Sequence, residues 1–205
     1  MNRSASVLTL LAAAALASPL HSAVIFSTFG PGGTVSSGKY GVDGSAELQA
    51  FLFHPSAAGA LDSIVVAISH GAPPSSETRF QLYSGTSSSL GTLLESFFPS
   101  NNSASIAMVT MNSTLHPNLD PSGFYWLLIT EANASNDALS YWAFSPLGQF
   151  TTRITHALTG NGVIPAFQVN ATDVPEPATG FSLAAATLVA VLFRRFRRWG
   201  VTPRR

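Results

Sequence analysis

Glu47–Ser69 reads ELQAFLFHPSAAGALDSIVVAIS, and this stretch decides the fold class. In an extended chain, Leu48, Ala50 and Leu52 fall on one face of Glu47–His54, and Phe51 and Phe53 on the other. Leu61–Ser69 is dense in residues that suit a pleated, buried surface. The same pattern recurs at Ala23–Phe29, Arg79–Tyr83, Thr92–Phe98, Ser105–Met111, Gly123–Thr130, Ala138–Phe144 and Val163–Val169. Turn clusters at Gly30–Gly33, Gly71–Ser76, Ser84–Ser89 and Pro99–Ser103 separate the segments. Short strands at regular spacing, with no long 3.6-residue period, predict an all-β sandwich or jelly-roll-like domain. Only Ser56–Leu61 and Thr151–Leu158 allow a helical turn.

Composition narrows the function classes. The 205 residues are 46% hydrophobic and only 10% charged, and none is cysteine. A disulfide framework, a cysteine nucleophile and a Cys-ligated metal are thereby excluded. The formal net charge of +0 hides a segregation. Between Val24 and Asp173 there are three basic residues (Lys39, Arg79, Arg153) against nine acids, a net of −6. Such an acidic body argues against nucleic-acid binding, which needs a basic footprint.

The two ends read as addresses. Residues 1–23 form a signal peptide: Arg3 is the positive start and Val7–Leu16 the apolar region. Ala15-Leu16-Ala17 is a cleavage site, and Ala23 marks a second candidate. The exported body follows at 24–172. At 173–177 comes a linker with Val174-Pro175-Glu176-Pro177, held extended by its two prolines and so open to a protease. Ala178–Phe193 is an uncharged run of 16 residues. A membrane crossing takes about 20 residues, and extension to Trp199 supplies them, giving a single transmembrane helix over 178–199. Arg194, Arg195, Arg197 and Arg198 act as the stop-transfer cluster and hold residues 200–205 in the cytoplasm.

Pro-Glu-Pro, an apolar helix and a terminal arginine cluster, in that order, resemble the PEP-CTERM sorting signal of bacteria. The six residues after Trp199 make this tail slightly longer than the pattern. The resemblance implies recognition by exosortase, a membrane-embedded transpeptidase-like protease, with the inner membrane as a transient anchor. It also implies processing near the motif and delivery to the cell surface or the extracellular matrix. The body, from FSTFG through LQAFLFHPSAAGALDSIVVAIS and RFQLYSGTSSSLGTLLESF to YWLLIT and SYWAF, resembles the choice-of-anchor R domain. That family groups exported bacterial domains carrying alternative C-terminal anchors; it assigns no site residues.

Catalytic and cofactor motifs are sparse. The chain has no G-x-S-x-G elbow, no phosphate-binding glycine loop and no H-x-x-x-H pair. No cofactor, metal or catalytic residue is expected. Asp43 and Glu47 flank a short turn, read here as solvated rather than as a Ca²⁺ site. Tyr125, Trp126, Tyr141 and Trp142 are the candidate ligand-stacking residues. In strands, each adjacent pair points to opposite faces, so one member of each is free to pack in the core and the other to meet a sugar ring. Three readings follow, in order. The first is a non-enzymatic surface or matrix protein. The second is a carbohydrate-binding module for exopolysaccharide. The third is a secreted hydrolase whose site only the fold assembles.

Overall fold

The alternating segments become two antiparallel sheets in a computed structural model, which describes residues 22–43, 48–70, 78–99, 103–131, 139–155 and 158–172. All of these fall in the compact unit His21–Asp173. The first sheet runs β1 (Ser22–Ser27), β13 (Phe167–Thr172), β4 (Gly59–His70), β10 (Leu139–Ala143) and β2 (Lys39–Asp43). β7 (Ala107–Asn112) and β8 (Asn118–Leu119) also pair with β4. Val65 meets Gln168 on one side and Thr110 on the other, so β7 lies across β4 from β13. The second sheet runs β12 (Leu158–Val163), β11 (Phe150–Thr155), β3 (Gln49–Phe53), β9 (Phe124–Glu131), β5 (Thr78–Gly85) and β6 (Leu90–Phe97).

The sheets share one core. Phe51, Phe80 and Leu127 of the second sheet meet Ile64, Trp142 and Phe167 of the first, all fully buried. The Trp142 ring stands edge-on to Phe51 and Phe80, at centroid distances of 5.4 and 5.1 Å. Burying each such side chain contributes about 1.5–3 kcal/mol. Phe51 and Phe53 turn inward, as the alternation predicts, but Ala50 and Leu52 are buried as well. They form a second cluster with Trp126 and Leu128 on the outer face of the second sheet. On the outer face of the first sheet, Ala67, Ala143 and Ala166 are small enough for Phe29 and Val35 to pack over them. That connection turns through Gly32 and Gly33, whose positive φ values of 67° and 77° suit glycine. The all-β architecture is consistent with a β-sandwich.

Several boundaries differ from the sequence reading. Neither segment that allowed a helical turn forms one among the described residues. Ser56 and Ala57 make a bend, and β4 begins at Gly59. A Cβ at Gly59 would stand 2.8 Å from both Ala171 Cβ and the Thr172 carbonyl oxygen, so glycine lets β4 start early against β13. Thr151–Thr155 lies in β11, where threonines and Ile154 favour extension. The segment Val163–Val169 is not one strand. Val163 ends β12 and Phe167 begins β13, with Pro165 at the step between the sheets. Proline has no N–H to offer a ladder, so the chain changes sheet there. Strands β2, β8, β11 and β12 were hidden by glycines, brevity or the helical-turn reading.

Residues 1–21, Glu47, Gly71–Ser76, the motif Val174–Pro177, the helix over 178–199 with its arginines, and the tail 200–205 lie outside the described residues. Ser22 and Ala23 do not: they pair with Thr172 and Ala171 in β1. The expected signal peptide of 1–23 therefore overlaps the first two residues of a strand.

Candidate functional site

The four expected stacking residues split between faces as alternation requires. Tyr125 turns into the inter-sheet core, where its ring lies 5.8 Å from Phe53. Its hydroxyl oxygen accepts a hydrogen bond from the Asp120 N–H at 2.9 Å. Trp126 turns to the outer cluster, and its indole N–H donates to the Thr86 carbonyl at 2.9 Å. Trp142 is enclosed between the sheets, with its N–H on the Ala166 carbonyl at 3.1 Å. Both tryptophans are 0% exposed. Tyr141 alone is half-buried, and the Lys39 ammonium sits 3.7 Å from its ring centroid. Three of the four rings thus serve packing, and the quartet offers solvent no co-facial pair. Their polar atoms are used locally, as buried Tyr and Trp require.

Two polar arrangements were not anticipated. At the ends of β4, β5 and β10, the Ser140 hydroxyl lies 3.1 Å from His70 Nδ1 and also hydrogen-bonds Thr78 Oγ1. A serine near a histidine has the geometry of an activated nucleophile. Ser140 is 0% exposed, however, and its hydroxyl bridges two strand neighbours. It ties three strands together. The connections 71–77 and 132–138, which leave from this end, lie outside the described residues.

The second arrangement is Glu95 on β6, an acid only 4% exposed. Its Oε2 accepts from the Ser113 hydroxyl at 2.6 Å. Its Oε1 accepts from the Thr114 N–H at 2.6 Å, the Thr114 hydroxyl at 3.0 Å and the Leu115 N–H at 3.2 Å. Burial pushes the carboxyl pKa up. The hydrogen bonds from Ser113, Thr114 and Leu115 outweigh that, and the net effect is a pKa below the ordinary 4.5. The carboxylate thereby joins the second sheet to the turn that follows β7 in the first. A signal for this existed in the sequence: Leu93-Leu94-Glu95-Ser96-Phe97 places an acid inside an apolar strand.

Two grooves open at the margins. One, of about 350 Å³, runs between β6 and β7 and is lined by Glu95, Phe97, Phe98, Val109 and Met111. The other, of about 440 Å³, is lined by Phe26, Leu52, Phe53, His54, Gln149, Thr151 and Ile164. At its rim, exposed His54 stands edge-on to Phe124, and its Nδ1 is 3.0 Å from the Gly123 carbonyl. His116 bonds the Leu61 carbonyl through Nδ1 at 2.9 Å. Among the described residues, no three His, Asp or Glu side chains group as metal ligands would. No protein-family model matches the chain, and no curated protein matches it significantly.

Proposed function

We propose that this chain is a non-enzymatic exported protein of the cell surface or extracellular matrix, sorted through a PEP-CTERM tail by exosortase. The observation that carries the reading is the ordered tail: Val174–Pro177, then the uncharged run Ala178–Phe193, then Arg194, Arg195, Arg197 and Arg198. A helix of that length parks the proline-rich segment at the membrane surface, within reach of a membrane enzyme. The body as a single jelly-roll-like sandwich, followed by one transmembrane helix, belongs to the same reading. A domain poor in charge, with Tyr125, Trp126 and Trp142 committed to packing, suits a structural role.

The test is intact mass and C-terminal peptide mapping of the protein from its native host. Wild type is expected to lack the tail from near Val174 onward. The triple variant Pro175→Ala, Glu176→Ala, Pro177→Ala is expected to keep it and to stay in the inner membrane. Wild type that retains Arg205 and remains in the membrane would overturn the sorting reading.

Binding of exopolysaccharide is the second reading, and what favours it is the groove at Phe26, Phe53, His54 and Gln149 rather than the quartet Tyr125, Trp126, Tyr141 and Trp142. Its lining is part aromatic and part polar, with no charged side chain, which suits a neutral sugar. Titration with neutral and acidic oligosaccharides, using Gln149→Ala as the variant, tests it. Equal response of the variant and wild type would reject this site.

A further inference from the structure

We infer that β7 is a self-association edge, through which two copies of this chain join their first sheets by antiparallel pairing of Ala107–Asn112. The inference is independent of how the protein is sorted.

A strand edge presents unpaired N–H and C=O groups, and proteins guard such edges with charge, proline, bulges or covering segments. The other edges here carry devices of that kind. β1 has a register break between Val24 and Phe26, and the Ser56 N–H and hydroxyl both bond the Ile25 carbonyl, at 2.6 and 2.8 Å. β2 carries Lys39, which is exposed. β6 is irregular, with register breaks against β5 on both sides of Tyr83. β12 holds Gly160 and Gly162, which weaken a strand. Among the described residues, β7 has none of these. Its register against β4 is unbroken from Ile68↔Ala107 to Ser63↔Asn112, and AMVTMN contains no charge, proline or glycine. Among the described residues, β4 is its strand partner.

Charge distribution selects a second copy as the occupant. The body carries a net −6, so most approaches of one copy to another are repelled. Ser96–Leu119 contains no Asp, Glu, Lys or Arg. Copies that meet along β7 therefore bring no like charges together. Exposed apolar side chains concentrate on the same side: Phe98 is 61% exposed, Met108 58% and Leu115 68%. Ile106, just before β7, is exposed as well. Antiparallel self-pairing is also the arrangement a twofold axis generates, so the contact closes as a dimer and leaves no free end. An axis perpendicular to the sheet keeps Met108 and Thr110 of both copies on one face and covers the methionines.

The chain has no native cysteine, so single-cysteine variants report the contact directly. The full chain in mild detergent is measured by light scattering, alongside Met108→Lys, and by cross-linking of Met108→Cys, Thr110→Cys and Asn112→Cys. Wild type is expected to be a dimer, and Met108→Lys a monomer with an unchanged circular dichroism spectrum. The cysteine variants are cross-linked alone and as equimolar mixtures, because a residue off the twofold axis opposes a different residue of the partner; at least one variant or mixture is expected to form a disulfide-linked dimer about tenfold faster than the exposed control Ala57→Cys. Monomeric wild type would overturn the proposal. So would a dimer that survives Met108→Lys, since that contact would lie in the apolar tail or elsewhere. Cross-linking at β7 no faster than at Ala57 would do the same.

Discussion

Where β2 crosses β12, Tyr40 holds the two sheets together; on the opposite flank, where β6 faces β7, Glu95 does so. The first closure is aromatic. The Tyr40 ring lies 5.1 Å from Phe51 and 4.5 Å from Phe144, with the Arg153 guanidinium 4.9 Å from its centroid. Its hydroxyl donates to the Val163 carbonyl at 2.9 Å. The second closure is a carboxylate taking four hydrogen bonds from the turn after β7. Both fasten one sheet to the other, but only the second relies on a carboxylate. The aromatic flank also carries the cations Lys39 and Arg153, while the residues that follow Glu95 are uncharged as far as Leu119. One flank is sealed by packing and guarded by charge. The other depends on a single ionised group and leaves a regular strand edge at the surface.

The largest effect is expected from Tyr40→Ala. It removes the ring from between Phe51 and Phe144 and withdraws the cation–π partner of Arg153. The loss is about 3 kcal/mol, the low end for a buried aromatic because Tyr40 is half-buried. Denaturant unfolding measures it. A loss below that of Glu95→Ala would reverse the ranking of the two flanks.

Glu95→Ala comes next, at about 2 kcal/mol, because it leaves the Thr114 and Leu115 N–H groups and the Ser113 hydroxyl without their acceptor. The sign of its pH dependence follows from the lowered pKa. Stability from Glu95 is fully present above the ordinary carboxylate value of 4.5. It is lost as pH falls through the lower folded value. Wild type should therefore lose stability on acidification by more than Glu95→Gln does, while Tyr40→Ala keeps the wild-type slope. Equal acid slopes in wild type and Glu95→Gln would show that the clasp does not need its charge.

These two flanks also show how far the sequence could be read. Alternation in Glu47–His54 correctly sent Phe51 and Phe53 to one side and Leu48, Ala50 and Leu52 to the other. It could not show that both sides are covered, because burial depends on what packs against a strand. The same limit applied to Trp126 and Trp142, whose opposite directions follow from strand geometry but whose indole N–H groups find their acceptors, the Thr86 and Ala166 carbonyls, 40 and 24 residues away. Glu95 stands out as an acid inside an apolar strand, but the sequence does not name its partners. Its partners stand 18–20 residues away and reach it only when the sheets face each other. Tyr40 sat in KYGVD, where Gly41 masks the strand signal. The reading proposed for the tail is of a different kind: it rests on local order along the chain and needs no tertiary partner.

β1 offers a smaller effect. Ser22 and Ala23 pair with Thr172 and Ala171, and the Ser22 hydroxyl donates to Asp62 at 2.8 Å. Under the export proposed above, signal cleavage after Ala17 would keep both rungs, whereas cleavage after Ala23 would remove them at a cost of about 1 kcal/mol. N-terminal sequencing of exported protein is expected to begin at Ser18. A start at Val24 would mean that β1 is shorter in the mature protein and its edge more open.

The smallest effect is that of Tyr40→Phe. It keeps the ring contacts and the place of Arg153, and removes only the hydroxyl bond to the Val163 carbonyl. That carbonyl sits in a part-buried setting, where water can replace the lost donor, so the cost is about 0.5–1 kcal/mol. The small loss is informative beside Tyr40→Ala. If packing seals this flank, most of the alanine effect should survive in the difference between the two variants, and both should keep the wild-type acid slope. If Tyr40→Phe costs as much as Tyr40→Ala, the hydroxyl is the fastener. Both flanks would then be held by single polar links, and the contrast between them would reduce to the charge on Glu95.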